Sequence, residues 1–376
     1  SGGLDSRVIL GMVDRRPVAS LTYGARNSRD VYYANQVARA TGSDHHWFDL
    51  PDGRWVLEQI NQHLTLTEGQ HSWIHAHGMS VLANARSLME VNLSGWDGGT
   101  IMGHDDTLSP LLTRAVSEEA LTARLFEQFN RSYTWPGLNE AEERLLYTDK
   151  VWRQVRDLAF DSFSEALQPY LCLRPDLRAE YFYIRNHCGR LTHNMITMYR
   201  SHIEARFPFF DYALFDFMHS LPARLRLDRR LYFALIDRET PRLARIPFDK
   251  QEYLPTTKAW LGKPQAAWVK ARNRLARLAP QAFTSHPTLY ADYEGYLRHE
   301  LRDWAEGILF DRRTADRGIF DPGFLRTLMA RHMSGNEQWT IGKIAPLMTY
   351  EMMLRRMHDS PEGAVAPARL PAAATR

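Results

Sequence analysis

Cysteine is almost absent: the 376 residues hold two, Cys172 and Cys188. Their spacing matches no metal-ligand pattern, which leaves no cysteine metal centre to build on. Two thiols in such a long chain predict a reduced, cytoplasmic protein. Long apolar runs are lacking too, as is a signal peptide, so no membrane partner is expected. Charge of one sign is also missing: the balance is +3, with acids and bases mixed along the chain. That gives no basic patch for nucleic acid and no polybasic segment for a lipid surface. Hydrophobic content of 44% and charged content of 24% are ordinary for a globular chain. The length allows two domains, or one with a large extension.

What the chain does have begins at its first residue. Ser1-Gly2-Gly3-Leu4-Asp5-Ser6 sets two glycines and an acid between hydroxyl residues, ahead of the apolar run Val8, Ile9, Leu10, Met12 and Val13. Glycines let backbone N–H groups approach phosphate oxygens, and a helix N-terminus adds partial positive charge. Asp5 repels phosphate, so its role beside one is to hold Mg²⁺. The same six residues also fit a glycine turn entering a capped helix. There is no Gly-x-x-x-x-Gly-Lys-[Ser/Thr], which excludes the Walker type of phosphate loop. A phosphate loop normally follows a buried strand. The chain has no initiator Met and starts inside this motif, so the expectation is a fragment whose N-terminal part, with that strand, is missing.

Strand, helix and strand signals then alternate over 18–23, 30–40 and 45–50, with Gly24 and Gly42 as stops. Residues 54–64 and 77–89 read as helical, and Glu90–Leu93 as a strand. This alternation predicts an α/β fold with a parallel sheet over residues 1–114, ligands lying at the carboxyl ends of the strands. Ser94-Gly95-Trp96-Asp97-Gly98-Gly99-Thr100 is a second glycine-rich loop at such an end, expected to face the first; it also reads as an ordinary turn. Over 115–359 helical patterns dominate and strand signals are scarce, which predicts a large helical extension. The Pro- and Ala-rich stretch 360–376 predicts a disordered tail. Within the helical part, Glu204 and Arg206 flank a turn at Pro208, among apolar residues that make unpaired charge costly. A structural ion pair explains them as well as a site does. Lys250 stands in a Pro-bounded loop, where a lysine is usually just solvated.

Together these residues resemble the synthetase domain of the asparagine synthetase family, within the N-type ATP pyrophosphatase (PP-loop) superfamily. Ser1–Ser6 is similar to that family's pyrophosphate loop. Leu21-Thr22-Tyr23-Gly24, with Asp30, Ala34, Ala38, Gly42 and His45 or His46, resembles its next segment. Leu93-Ser94-Gly95 resembles the start of its second loop. Glu204-Ala205-Arg206-Phe207-Pro208-Phe209-Phe210-Asp211, followed by Ser220-Leu221-Pro222, resembles Glu-x-Arg-x-Pro-Phe-x-Asp. The resemblance runs to roughly residue 265.

It implies a PP-loop α/β core with an all-helical extension, and an ATP- and Mg²⁺-dependent ligase. A carboxylate, aspartate in the family, becomes an acyl-adenylate with release of pyrophosphate, and an amine then forms the amide. By resemblance Ser1, Gly2, Gly3, Asp5, Ser6, Ser94 and Gly95 hold the phosphates. Leu21, Thr22 and Gly24 border the nucleotide. Asp5 holds Mg²⁺, Lys250 stabilises the leaving pyrophosphate, Glu204 meets the amine and Arg206 braces the site. The family's second loop carries an acid pair where this chain has Gly98-Gly99-Thr100. Asp97 is the expected substitute metal ligand, with His104, Asp105 and Asp106 as further candidates. The implied partners are a small carboxylate and an amine donor, an N-terminal glutaminase domain missing from this chain, and a homodimer. Two alternatives keep the fold. One closes a β-lactam or macrolactam ring, with Trp73, Trp96, Tyr181, Tyr183 and Tyr199 suited to a larger substrate or simply packed. The other is a nucleotide-binding protein that has lost turnover.

Overall fold

The structure is a computed structural model, which describes residues 2–14, 17–103, 117–131, 137–249, 252–255, 259–278 and 290–359. Ser1, Lys250, His104, Asp105, Asp106 and the tail 360–376 lie outside the described residues.

The glycine-rich start opens helix α1, Leu4–Met12. Strand β1, Ala19–Tyr23, follows, then α2, Arg29–Thr41, and β2, Asp44–Phe48. Ser28 caps α2 by accepting from the Val31 N–H, and Gly42 ends it in the left-handed region at φ 68°, the two signals expected at helix ends. The α2 face bearing Val31, Ala34, Val37 and Ala38 is buried, as 3.6-residue periodicity requires. Strands β1 and β2 pair in parallel from Ala19–Asp44 to Tyr23–Phe48. Helices α3, Arg54–Thr67, and α4, Met79–Leu88, lead to β3, Val91–Leu93.

One difference from the sequence reading lies at residue 204. The segment read as a Pro-bounded turn opens with a strand, β4, Glu204–Arg206, before the turn Pro208–Phe210. It pairs in parallel with β3, Val91 opposite Glu204 and Leu93 opposite Arg206. A strand from the helical stretch therefore lies beside the glycine-rich part. Three residues with a charge at each end carry no alternating pattern long enough to mark a strand. Among the described residues the sheet is split, β1 with β2 and β3 with β4.

Two packed clusters frame this arrangement. The larger joins α3 and the turn at Trp73 to the C-terminal helices, through Trp55, Trp73, Tyr293, Leu328 and Ile344. Trp73 is thus core, not a substrate platform. The stretch beyond residue 265, which carries no motif, closes this core. The second cluster sets Leu4 and Val8 of α1 against Ile101, Phe209, Tyr232, Ile236 and Phe248. It fixes the first loop against the segment that follows β4. Behind it, Glu180 and Arg226 form a wholly buried ion pair, a contact whose loss on one side costs about 3–5 kcal/mol.

Candidate active site

The first loop is tied down by its own neighbours. The Gly2 N–H donates to Asp30 Oδ1 at 2.6 Å. Burial pushes the Asp30 carboxyl up, Asp249 adds to the rise, and the Gly2 N–H opposes it. Gly3 forms the N-cap of α1 in extended geometry, and as a glycine it brings no capping side chain of its own.

Arg7 carries the loop's anchorage, and sequence reasoning missed it. Its guanidinium is fully buried. It donates to the carbonyls of Gly2 (3.1 Å), Leu243 (3.2 Å) and Pro247 (2.9 Å), and to that of Ile246. The Asp249 N–H donates to the Gly2 carbonyl at 3.3 Å. The glycine loop and the segment ahead of Lys250 are thus stitched together. Burial lowers the Arg7 pKa to about 10, with Asp249 opposing, so it stays charged at neutral pH. The signal was present: Leu4, Arg7 and Val8 lie at i, i+3 and i+4, one charged residue on a buried face.

The second loop lies directly on the first. A Cβ on Gly95 would sit 2.6 Å from the Ser6 nitrogen and 2.8 Å from Asp5 Cβ. One on Gly98 would sit 2.6 Å from the Phe209 ring and 2.9 Å from Asp5 Cγ. No side chain fits at either place, which is the physical reason for glycine there. The Ser94 N–H donates to the Arg206 carbonyl at 2.9 Å. The Trp96 ring lies 4.8 Å from Phe210 and edge-on to Phe207 at 5.4 Å. Loop two is therefore clamped between loop one and the segment after β4.

The two acids face different surroundings. Asp5 Oδ1 accepts from the Tyr232 hydroxyl at 2.7 Å. Tyr232 is fully buried, and burial with Asp5 beside it pushes its phenol well up, so it acts as a donor. Asp97 sits in the left-handed region at φ 48°, and its Oδ2 accepts from the Thr192 hydroxyl at 2.7 Å. Burial, with Asp97 beside it, pushes the Cys188 thiol up. Asp97 is thus engaged by the helix Ile184–Thr192. Among the described residues no group of three His, Cys, Asp or Glu side chains can hold a metal alone. Mg²⁺ bound by one carboxylate and phosphate oxygens needs no such group, and Asp5 at the loop fits that donor set.

Leu21 and Thr22 line a cavity of about 510 Å³, together with Ser6, Asp30, Ser94 and Gly95. The Thr22 hydroxyl and the Trp96 indole N–H are buried without a hydrogen-bond partner, which leaves polar atoms for a ligand. Gly24 lies elsewhere. At φ 137° it packs against Tyr290, 2.8 Å from where its Cβ would be.

Glu204 and Arg206 bond to each other, Nε to Oε1 at 2.6 Å, with side chains 55% and 62% exposed. The expectation that they stand in costly apolar surroundings is corrected: solvent screens the pair, and such pairs contribute about 0–1 kcal/mol. They lie in a shallow depression with Arg86, Arg200 and His202. No described helix is long and apolar enough to cross a membrane.

Among curated proteins nothing matches the chain. A family model does match: that of asparagine synthase, over residues 1–355. The match spans both loops, the 204–211 segment and the C-terminal core, and the chain belongs to the asparagine synthase family.

Proposed function

We propose that the chain is an ATP-dependent ligase that activates a small carboxylate as its acyl-adenylate and passes the acyl group to an amine. The supporting observation is the seating of Gly95 and Gly98 on Asp5 and Ser6, which brings the loop after β3, the loop that opens α1 and one held carboxylate together. Backbone donors there cradle phosphate oxygens and fix the α-phosphorus for attack. Mg²⁺, when bound at Asp5, offsets charge on the departing pyrophosphate. Arg7 holds the loop through the Gly2 carbonyl, and Tyr232 orients Asp5. Lys250, next to the stitched segment 243–249, is the cation for pyrophosphate. Glu204, exposed and paired with Arg206, receives the amine proton once an incoming substrate rearranges the pair.

The test is pyrophosphate release from ATP with Mg²⁺ across a panel: aspartate with ammonia, β-amino acids, and peptide carboxylates. Release with at least one carboxylate is expected. ATP binding without release from any would favour the reading that turnover is lost, which the engagement of Asp97 by Thr192 also suits. Glu204→Gln should slow amide formation about 100-fold, within the range for a general base, and leave pyrophosphate release nearly unchanged. Equal loss in both steps would make Glu204 structural.

A further inference from the structure

Glu252 is a buried acid to which the ligase reading gives no role. Its side chain is 1% exposed, and its backbone lies in the left-handed region at φ 54°. A residue with a Cβ is strained there, and such strain persists only where the surroundings over-determine it. The surroundings here are two guanidiniums and a phenol. Arg29 Nη2 lies 2.8 Å and Arg272 Nη2 2.7 Å from Oε2, and the Tyr33 hydroxyl donates to Oε1 at 3.4 Å. The Glu252 N–H donates to the Phe248 carbonyl at 2.8 Å, and Phe248 shares a packed cluster with Leu4 and Val8 of α1.

These partners form two arms. Arg272 belongs to the helix Ala259–Leu278. Arg29 and Tyr33 stand four residues apart on α2 and so share a face. Asp30, in the same turn, accepts the Gly2 N–H at 2.6 Å. The first loop rests on that turn: a Cβ on Gly2 would lie 3.0 Å from both the Asp30 carbonyl oxygen and the Tyr33 Cβ. Arg7 ties the loop itself to residues 243, 246 and 247, and Glu252 ties the loop's seat to the chain that follows. We propose that Glu252 is a positioning residue for the first loop. Through Arg29 and Tyr33 it fixes the first turn of α2, and that turn fixes Gly2 and with it the loop's remaining backbone donors toward the pyrophosphate part of ATP. The inference rests on the phosphate-binding reading of that loop. A merely structural ion cluster would suffer alike from the loss of either arm. The geometry sets the arms apart, because the Arg29 arm reaches the loop's seat and the Arg272 arm leads to a different helix.

The test compares Arg29→Gln, Arg272→Gln and Glu252→Gln in the full chain. Calorimetry measures the binding of ATP with Mg²⁺, and of AMP, which lacks the pyrophosphate part, at a temperature where circular dichroism shows each variant folded. The two arginine variants each remove one guanidinium from the same buried carboxylate, which matches them as perturbations of the cluster. Arg29→Gln should weaken ATP binding about tenfold or more, as misplaced binding groups do, and leave AMP within about twofold. Arg272→Gln should leave both ligands within about twofold of the parent. Arg29→Lys, which keeps a cation beside Glu252, should recover most of the ATP affinity. Glu252→Gln should match Arg29→Gln; if it fails to fold, Arg29→Gln carries the test alone. Equal weakening by Arg29→Gln and Arg272→Gln, or equal weakening of ATP and AMP, would make the cluster a structural brace and overturn the proposal. So would unchanged ATP affinity in every variant of a parent that binds ATP. A parent that binds no ATP would sink the phosphate-binding reading of the loop, and this inference with it.

Discussion

Asp5→Ala should lower Mg²⁺-dependent pyrophosphate release by about 100- to 1,000-fold, the usual loss when one charge-stabilising group is removed from a preorganised site. The carboxylate lies where two loops touch, with the Gly98 Cβ position 2.9 Å from its Cγ, and the Tyr232 hydroxyl fixes one of its oxygens. Alanine also leaves that buried hydroxyl without its acceptor, a penalty of about 1–3 kcal/mol, so part of the lost activity could come from a loosened loop. Asp5→Asn separates the two causes. The amide oxygen still accepts from Tyr232, but the negative charge is gone. Activity should fall nearly as far in Asp5→Asn as in Asp5→Ala, with Tm held close to the parent. Tyr232→Phe should do the reverse: it keeps the charge, lets the carboxylate turn, and raises the Mg²⁺ concentration needed for half-maximal release about tenfold. Near-parental release by Asp5→Asn would remove Asp5 from the metal and with it the main chemical support for the ligase reading.

The contrast between these residues shows what a sequence can display. Ser1–Ser6 and Ser94–Gly95 were readable because their chemistry is local: small residues, an acid and a helix start within a few positions. Their contact was foreseeable from strand order, since loops at the carboxyl ends of neighbouring parallel strands share one crevice. Tyr232 was not readable, because its partner Asp5 lies 227 positions away and a buried tyrosine looks like any other aromatic of the core. Arg7 sat in view on a buried helix face, yet three of its four acceptors are carbonyls of residues 243, 246 and 247, and carbonyls leave no trace in a sequence. Strand β4 failed for a related reason. Three residues are stabilised by their partner β3, and local pattern says little about so short an edge. Glu204 and Arg206 were placed in apolar surroundings because their sequence neighbours are apolar. Alternation along β4 buries Ala205 and turns both charges outward.

The same interior predicts a steep loss of stability in mild acid. His71 and His77 are buried, His63 is fully buried, and His75 is half-buried beside them. The rings of His71 and His75 stack at 4.5 Å, and His63 lies 5.8 Å from His71. Tyr290 and Tyr293 face His77 from the C-terminal region, and Met198 faces His63. Among the described residues no acid hydrogen-bonds or ion-pairs with these rings, so protonation gains no counter-charge. Burial, with mutual repulsion added, lowers His71 to about 2, His75 to about 3 and His77 to about 4, and burial lowers His63 too. These groups are depressed in the folded state and titrate near 6.5 when unfolded. Their contribution is therefore whole above pH 6.5 and is lost as pH falls from 6.5 towards 4, because only the unfolded chain takes up protons there. At pH 5 each fully depressed histidine gives up about 2 kcal/mol. His71 and His77 alone thus remove about 4 kcal/mol, a large share of the ~5–15 kcal/mol that holds a typical domain folded. Denaturant midpoints measured at pH 7.5 and pH 5.0 should differ accordingly. His77→Phe, which keeps a ring but cannot titrate, should flatten the difference even though it loses the tyrosine hydrogen bonds. A midpoint that stays constant between the two pH values would mean that these rings gain protons in the folded chain as readily as in water, and that water reaches the turn at Trp73.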